Sequence, residues 1–524
     1  MTKEYEYILV GSGVAATMLT QSLLETTPSA SILILEAGPR IELRDRRSWW
    51  DLLVKKDETP YKHTYDVEGG ESTFTADKWG FYESRVRAYG GSTMHWGGWS
   101  LRYLPEDFRC FTEVGKGADW PFGYDELEPW YSAAEVALSV GGVAEEPGPP
   151  RRAPYPLPAF PWTAHEALLA DAFEKHGLVP GHMPLARNAR CMTTGTCKYC
   201  PIGARYTATD HLDELVATPA HSGLDIRTNM TVLNVLADRK HAYGVHVLDG
   251  NTKKEETLQG NRIVICAGAY ESPKLLLRSI SPDWPNGLGN NSDQVGRYLV
   301  THTMLRVRGE AKSNSEGWFQ EYDFPTLMSR SWDCAERARA GKGKVFLYNN
   351  RALPHTDIAA LFIDGATRDK VNSEVFGARE AGLDAFIEEY GEPHNRITNG
   401  TGEGRFGLPK TVVEFRRGEG VNEAANNTLD EMQQILVRAG YERHSDPKLM
   451  RQIQTPRGDH SSGTCRMGAE VSTSVVDRNL CVHGVDNLYV CSNAVLPNAA
   501  AVNPTLTLAA LSLRLGAHLA DTRP

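Results

Sequence analysis

Tyr7–Gly38 reads YILVGSGVAATMLTQSLLETTPSASILILEAG. An apolar run, Tyr7-Ile8-Leu9-Val10, meets Gly11-Ser12-Gly13-Val14-Ala15-Ala16, then a helical pattern, then a second apolar run that ends at Glu36. That order predicts strand, tight turn, helix and strand, the βαβ unit of dinucleotide-binding sheets. Gly11 permits the turn and Gly13 lets a pyrophosphate approach the backbone, while Ala16, in place of a third glycine, still allows close helix–strand packing. The phosphates would meet N–H groups at the helix N-terminus, where the dipole favours negative charge. Glu36, about twenty residues downstream, is placed to accept a hydrogen bond from a ribose hydroxyl. A 2′-phosphate would be repelled there, which favours FAD or NAD over NADP.

Outward from this unit, a chain of 524 residues exceeds one ordinary core and predicts two or three domains. A net charge of −10 argues against nucleic acid or an anionic membrane as the main partner. No apolar run reaches the roughly 18–20 residues of a membrane span. MTKEYEY runs straight into the first strand and leaves no room for a signal peptide, so export would need the address of another chain. Nine cysteines in this length do not make a disulfide scaffold.

Arg85 to Gly98 reads RVRAYGGSTMHWGG, with His95 and Trp96 fixed between two glycine pairs. Such a run predicts backbone pressed against a large planar ligand. Trp120-Pro121 precedes a helix to about Val140, residues 144–161 are a proline-rich connection, and a second helix is expected from Ala164 to His176. Cys191, Cys197 and Cys200 follow, spaced to converge on one centre, with Gly195 between them and Pro201 after. Soft thiolates suit an iron–sulfur cluster or zinc. Structural zinc needs a fourth ligand that is not evident locally, and unligated thiols are the remaining reading.

Leu224–Arg227, Thr231–Val235 (with Val232), Ala242–Leu248 and Arg262–Cys266 read as strands, the last running into Ala267-Gly268 and a helix. This predicts a return to the dinucleotide sheet, with the intervening strands as a small lobe beside it. Between 300 and about 455 isolated strands stand among polar loops, closed by a helix from Asn427 to Ala439. This region is expected to hold the substrate. Asp459-His460-Ser461 and Leu488–Ala494, which contains Asn493, precede Asn503-Pro504-Thr505 and an amphipathic helix to Ala520. The proline puts Thr505 in a helix's first turn and Asn503 at its N-cap. His460 is a natural base near neutral pH, and Asn503 its expected partner.

Together, the glycine turn with Glu36, Gly90-Gly91-Ser92, Trp120-Pro121, Cys266-Ala267-Gly268-Ala269, Gly463-Thr464-Cys465-Arg466-Met467-Gly468 and the closing helix resemble the glucose–methanol–choline oxidoreductase family. Asn503–Thr507 and Gly91–Trp96 are similar to its sugar-oxidising branch. The resemblance implies an α/β fold, a Rossmann-like FAD-binding domain with an inserted α+β substrate domain. Residues 1–300 would form the first part of the FAD domain with a cluster-binding insertion near 185–210, residues 301–455 the substrate domain, and 456–524 the closing part. FAD contacts are then expected at Gly11, Ser12, Gly13, Val14, Ala15, Ala16, Glu36, Gly90, Gly91, Ser92, Thr93, His95, Trp96, Gly98, Val232, Ala267, Gly268, Asn493, Pro504 and Thr505.

In that branch the residue matching His460 takes a sugar hydroxyl proton while hydride passes to the flavin, and Asn503 matches its partner. His95 matches a position of covalent flavin attachment. Cys191, Cys197 and Cys200 resemble the ligands of a 3Fe-4S cluster in multi-subunit sugar dehydrogenases, although Met192 stands where some relatives carry a further cysteine. The expected protein is the catalytic subunit of a sugar or glycoside dehydrogenase. It would oxidise a ring hydroxyl, C3 of a glucoside first, to a ketone. A small subunit, a cytochrome or other electron acceptor, and a periplasmic location through that subunit would accompany it. A cytoplasmic protein, an oxygen-using single-chain oxidase and a non-enzymatic flavin-binding redox sensor are the alternatives.

Overall fold

The computed structural model describes residues 4–41, 72–74, 85–191, 200, 202–311, 322, 324–349, 361, 363–371, 380–403, 408–454, 456 and 458–522. Strand Glu4–Val10, helix Val14–Thr26 and strand Ile32–Leu35 form the expected unit, with the two strands adjacent and parallel. Ile8 and Leu9, on opposite faces, are both fully buried. That is why the strand reads as a continuous apolar run rather than an alternating one. Leu224–Arg227 adds in parallel beyond Ile32–Leu35, and Glu255–Ile265 adds on the other side of Glu4–Val10.

Glu255–Ile265 organises the sheet because it is 11 residues long. One edge pairs with Glu4–Val10. The opposite edge is divided, its first half taking Ala242–Asp249 antiparallel and its end taking Leu488–Val490 parallel. Met230–Ala237 then pairs with Ala242–Asp249. The small lobe expected beside the sheet is therefore a continuation of it, hydrogen-bonded along the half of the long strand that the parallel layer leaves uncovered. The closing helix Thr505–Asp521 packs on Val14–Thr26, where Ser22 Oγ donates to the Leu513 carbonyl at 2.9 Å.

Of the isolated strands expected between 300 and 455, that at Thr411–Phe415 pairs, as Pro409–Glu414, with Arg396–Glu403 and Ser72–Phe74 in a separate sheet, whereas those at Leu305–Val307 and Val345–Tyr348 join one larger antiparallel sheet. Its order is Tyr441–Arg443, His302–Ala311, Glu380–Glu388, Val345–Asn349, Leu327–Ser329 and Gly181–His182, with Arg451–Ile453 also on His302–Ala311. Side chains alternate by face. Leu305, Val307, Leu347, Leu383, Ala385 and Ile387 share a core with Leu429, Met432 and Ile435 of helix Val421–Arg438. His302, Met304, Arg306, Tyr348 and Phe386 lie on the opposite face by register. The helix begins at Val421, earlier than the expected Asn427, because Val421, Ala424 and Ala425 belong to the same buried stripe. Helix Tyr124–Ala137 stops short of the expected Val140, which opens the strand Val140–Gly142.

Candidate active site

A cavity of about 560 Å³ lies where the first sheet's turns meet the open face of the second. Gly11, Ser12, Gly13, Val14, Ala15, Glu36, Gly91, Ser92, Thr93, His95, Trp96, Val232, Ala267, Gly268, Asn493 and Thr505 line it, together with His460 and Asn503. Ala16, Gly90, Gly98 and Pro504 are not among its lining residues. Ala16 is fully buried in the core. Gly98 accepts from the Ala186 N–H at 2.6 Å.

The turn is built as its sequence requires. Gly11 has φ of +103°, and a Cβ there would stand 2.7 Å from the Cys266 carbonyl oxygen. Gly91, at φ +55°, would bring a Cβ to 3.1 Å from the Gly13 Cα, so the two glycine runs touch backbone to backbone. Ser12 ties them together: its Oγ donates to Glu36 Oε2 at 2.7 Å and accepts from the Gly90 N–H at 3.1 Å. Glu36 also accepts from the Ser12 and Gly38 N–H groups. Burial raises its carboxyl above the ordinary range, against the pull of these hydrogen bonds and Arg87.

The opposite wall holds the chemistry. His460 ends a short turn, Gly458–His460, with Nε2 3.0 Å from Asn503 Nδ2 and Nδ1 2.9 Å from His302 Nδ1. Asn503 precedes the N-cap of the closing helix, which is Pro504 rather than Asn503. Capping is therefore not its task, and its amide turns to His460 instead. Asn503 Oδ1 and Asn493 Oδ1 are buried with no hydrogen-bond partner among the described residues. Phe386 meets His460 edge-on at 5.0 Å and stacks on His302 at 5.2 Å. Trp99, Met304, Arg306 and Tyr348 complete this end of the cavity. Asp384 accepts from Arg306 Nε at 3.0 Å and Nη2 at 2.8 Å, so the guanidinium is held as a planar fork. Sequence reasoning missed His302, Trp99, Arg306, Tyr348 and Phe386. The strand residues have no motif, and only their alternation with the buried Leu305, Leu347 and Ala385 marks an open face.

Next to His95 and Trp96 lie Arg187 and Arg205, the described residues that flank Cys191 and Cys200. Arg205 donates to the Met94 carbonyl at 2.6 Å and to the Trp96 carbonyl, and Trp96 Nε1 donates to the Tyr206 carbonyl at 2.9 Å. Arg187 reaches the Gly97 carbonyl at 3.4 Å and donates to Cys191 Sγ at 3.3 Å. Cys200 Sγ accepts from the Ala204 N–H at 3.3 Å. Burial alone would raise the Cys200 thiol, but the N–H groups of Arg205, Ile202 and Ala204 outweigh it and lower it. Cys197 lies outside the described residues, within which no group of three His, Cys, Asp or Glu side chains could hold a metal.

A dinucleotide turn, a cavity leading from it and a His–Asn pair at the far end define an oxidoreductase acting with a nucleotide cofactor on an alcohol. Residues 5–304 and 396–512 match the N-terminal and C-terminal parts of the GMC oxidoreductase family. The chain belongs to that family, whose members bind FAD, and is an enzyme of the oxidoreductase class. It is 27% identical to the fructose dehydrogenase large subunit of Gluconobacter japonicus, over 98% of this chain and 97% of that one. It is 23% identical to a C-glycoside 3-oxidase of Arthrobacter globiformis, over 98% and 94%. Among solved structures, pyridoxine 4-oxidase from Mesorbium loti shares the fold with a TM-score of 0.65 and 18% identity, covering 99% of this chain and 100% of that one.

Proposed function

We propose that this chain is the catalytic subunit of an FAD-dependent sugar or glycoside dehydrogenase that oxidises a secondary ring hydroxyl, C3 of a glucoside, to a ketone. The observation that carries the reading is the His460–Asn503 pair facing the aromatic wall of Trp99, Tyr348 and Phe386. Apolar ring faces suit the C–H face of a pyranose, and the Arg306 fork suits hydroxyls away from the reacting carbon. His460 takes the hydroxyl proton at Nε2. Asn503 holds the same oxygen by hydrogen bonding, which an amide can do without titrating. Bound FAD supplies the hydride acceptor, held by the Gly11–Ala15 turn, the Gly91–Trp96 run and the segment at Ala267–Gly268.

The relatives' names support the substrate class, since one acts on fructose and another is a C-glycoside 3-oxidase. The name "large subunit" supports a partner subunit. Cys191 and Cys200, with Cys197 between them, are the residues that would hold a 3Fe-4S cluster, whose chemistry is one-electron relay toward a cytochrome or similar acceptor. Support for it is the donor set itself: Cys200 is held toward the thiolate, and Arg187 and Arg205 link the segment to the cavity wall at Gly97 and Trp96. Zinc is separated from iron by metal analysis. A periplasmic site reached with the partner subunit belongs to the same reading, and fractionation of the native host tests it.

The test is anaerobic reduction of the flavin by a panel of sugars and glycosides, followed by absorbance. Bleaching by glycosides and a 3-keto product support the reading; bleaching by none of the panel overturns it. The second reading, an oxygen-using oxidase, is favoured by the name of the C-glycoside relative. It requires rapid oxygen consumption at the expense of dye reduction.

A further inference from the structure

His302, the first residue of strand His302–Ala311, is buried and touches His460 rather than the cavity. Its Nε2 lies 3.0 Å from the Ala500 carbonyl oxygen and 3.3 Å from that of Ala499. A carbonyl can only accept, so Nε2 carries a hydrogen. Burial, helped by the neighbouring His460, pushes the His302 pKa down to about 3, so the ring is neutral and its lone pair is on Nδ1. Nδ1 stands 2.9 Å from His460 Nδ1. The hydrogen between the two rings must then belong to His460. That leaves His460 with its lone pair on Nε2, the atom that faces Asn503 Nδ2 at 3.0 Å.

We propose that His302, anchored on the Ala500 carbonyl, is a positioning residue that fixes His460 in its Nδ1–H tautomer and so presents Nε2 as the base. The inference rests on the reading of His460 as the base. When Nε2 takes the alcohol proton, the Nδ1–H of His460 continues to donate to His302 Nδ1, now as a charge-assisted hydrogen bond that stabilises the imidazolium. The backbone is shaped for this. Ala500 has φ of +50°, in the left-handed region a side chain disfavours, and it directs its carbonyl at His302. Three residues later the same segment supplies Asn503. Other groups around the pair are Asp459 in the turn of His460, Glu388 opposite His302 across the sheet, Arg306 further along its strand, and Tyr103, whose hydroxyl donates to the Ala499 carbonyl at 2.9 Å.

The test uses the FAD-loaded enzyme and three variants: His302→Leu, His302→Asn and His460→Ala. Asn retains an acceptor near the position of Nδ1, and Leu does not. Flavin reduction by saturating substrate should fall about a hundredfold in His302→Leu, the order expected for a misoriented base, and recover largely in His302→Asn. The acid limb of the pH profile should move to lower pH in His302→Leu, because the imidazolium loses its acceptor. Histidine ¹⁵N NMR of the wild type, assigned by loss of a signal in His460→Ala, should show the hydrogen of neutral His460 on Nδ1. A hydrogen on Nε2 overturns the proposal even if His302→Leu fails to fold. If His460→Ala is slow while His302→Leu keeps the wild-type rate and acid limb, His302 has no such role. If His460→Ala itself is fast, the underlying reading of the base has failed instead.

Discussion

At His460 the two ring nitrogens face different partners, so loss of the ring and loss of a partner should be separable. A secondary alcohol has a pKa far above neutral, and hydride does not leave its carbon readily unless the hydroxyl proton is removed in concert. General base catalysis typically contributes about 10²–10⁴-fold. His460→Ala should therefore slow flavin reduction by at least about a hundredfold while FAD stays bound. Asn503→Ala should slow it by about tenfold, since orientation is lost but the base is not, with a smaller change in pH dependence. Stopped-flow absorbance from about pH 5 to pH 9 measures both. A wild-type rate in His460→Ala would make it a structural histidine. Arg306 is held by Asp384 at the side of the cavity. Arg306→Met should raise KM by about tenfold with little change in kcat, the pattern of an interaction made equally in ground and transition states. A fall in kcat with KM unchanged would place Arg306 at the reacting carbon.

At the scale of elements, two charge clusters tie separate segments of the fold together. Arg102 is bound by Glu135 through Nε and Nη2, both at 2.8 Å, and by Glu128 at 3.0 Å, which fastens helix Tyr124–Ala137 to the segment around Arg102. Tyr131 of that helix meets Thr507 of the closing helix at 2.7 Å. Arg102→Met leaves buried Glu135 with Arg151, 3.1 Å away, as its cation, and breaking a buried pair costs about 3–5 kcal/mol. Denaturant unfolding should show this as a lower midpoint at unchanged slope, and a midpoint equal to wild type would mean that Arg151 alone satisfies Glu135. In helix Gly268–Arg278, Glu271 is half-buried among Lys274, Arg87, Arg85 and Arg278. Burial would raise its carboxyl, but these cations hold it well below the usual range. Burial pushes Lys274 down to about 8, against the pull of Glu271. Because the folded pKa of Glu271 lies below its unfolded value of about 4.3, its contribution is complete above that value and is lost as pH falls through the folded one. Glu271→Gln should thus destabilise the protein near pH 7 and converge on wild type in strong acid, read from urea midpoints at each pH. A constant difference across that range would show that Glu271 acts by packing.

For the molecule as a whole, the question is where the electrons go after the substrate is oxidised. If the proposed cluster relays electrons, Cys197→Ser should leave flavin reduction by sugar largely intact but abolish transfer to a distant acceptor, measured with the proposed partner subunit present. Purified protein with no iron and stoichiometric zinc would refute the cluster. Much of this architecture was legible beforehand for a local reason. Tyr7–Gly38 encodes its turn, helix and strands through near-neighbour spacing, and the structure reproduces that unit. His460 and Asn503 were legible as chemistry because few residue types can take or orient a proton. The second sheet was legible only as fragments. Its strands bury one face and leave the other to a cavity that includes Arg306, Tyr348 and Phe386, so no uniform apolar pattern announces them. What the sequence by itself determined is therefore the dinucleotide unit, carried by residues a few positions apart, and, for the proposed reacting groups, only their residue types. Tertiary structure brings His460 to the expected Asn503 across 43 residues, and it alone revealed His302 across 158. Those meetings depend on sheet register and on the left-handed turn at Ala500, and contacts over such separations leave no periodic trace in the chain.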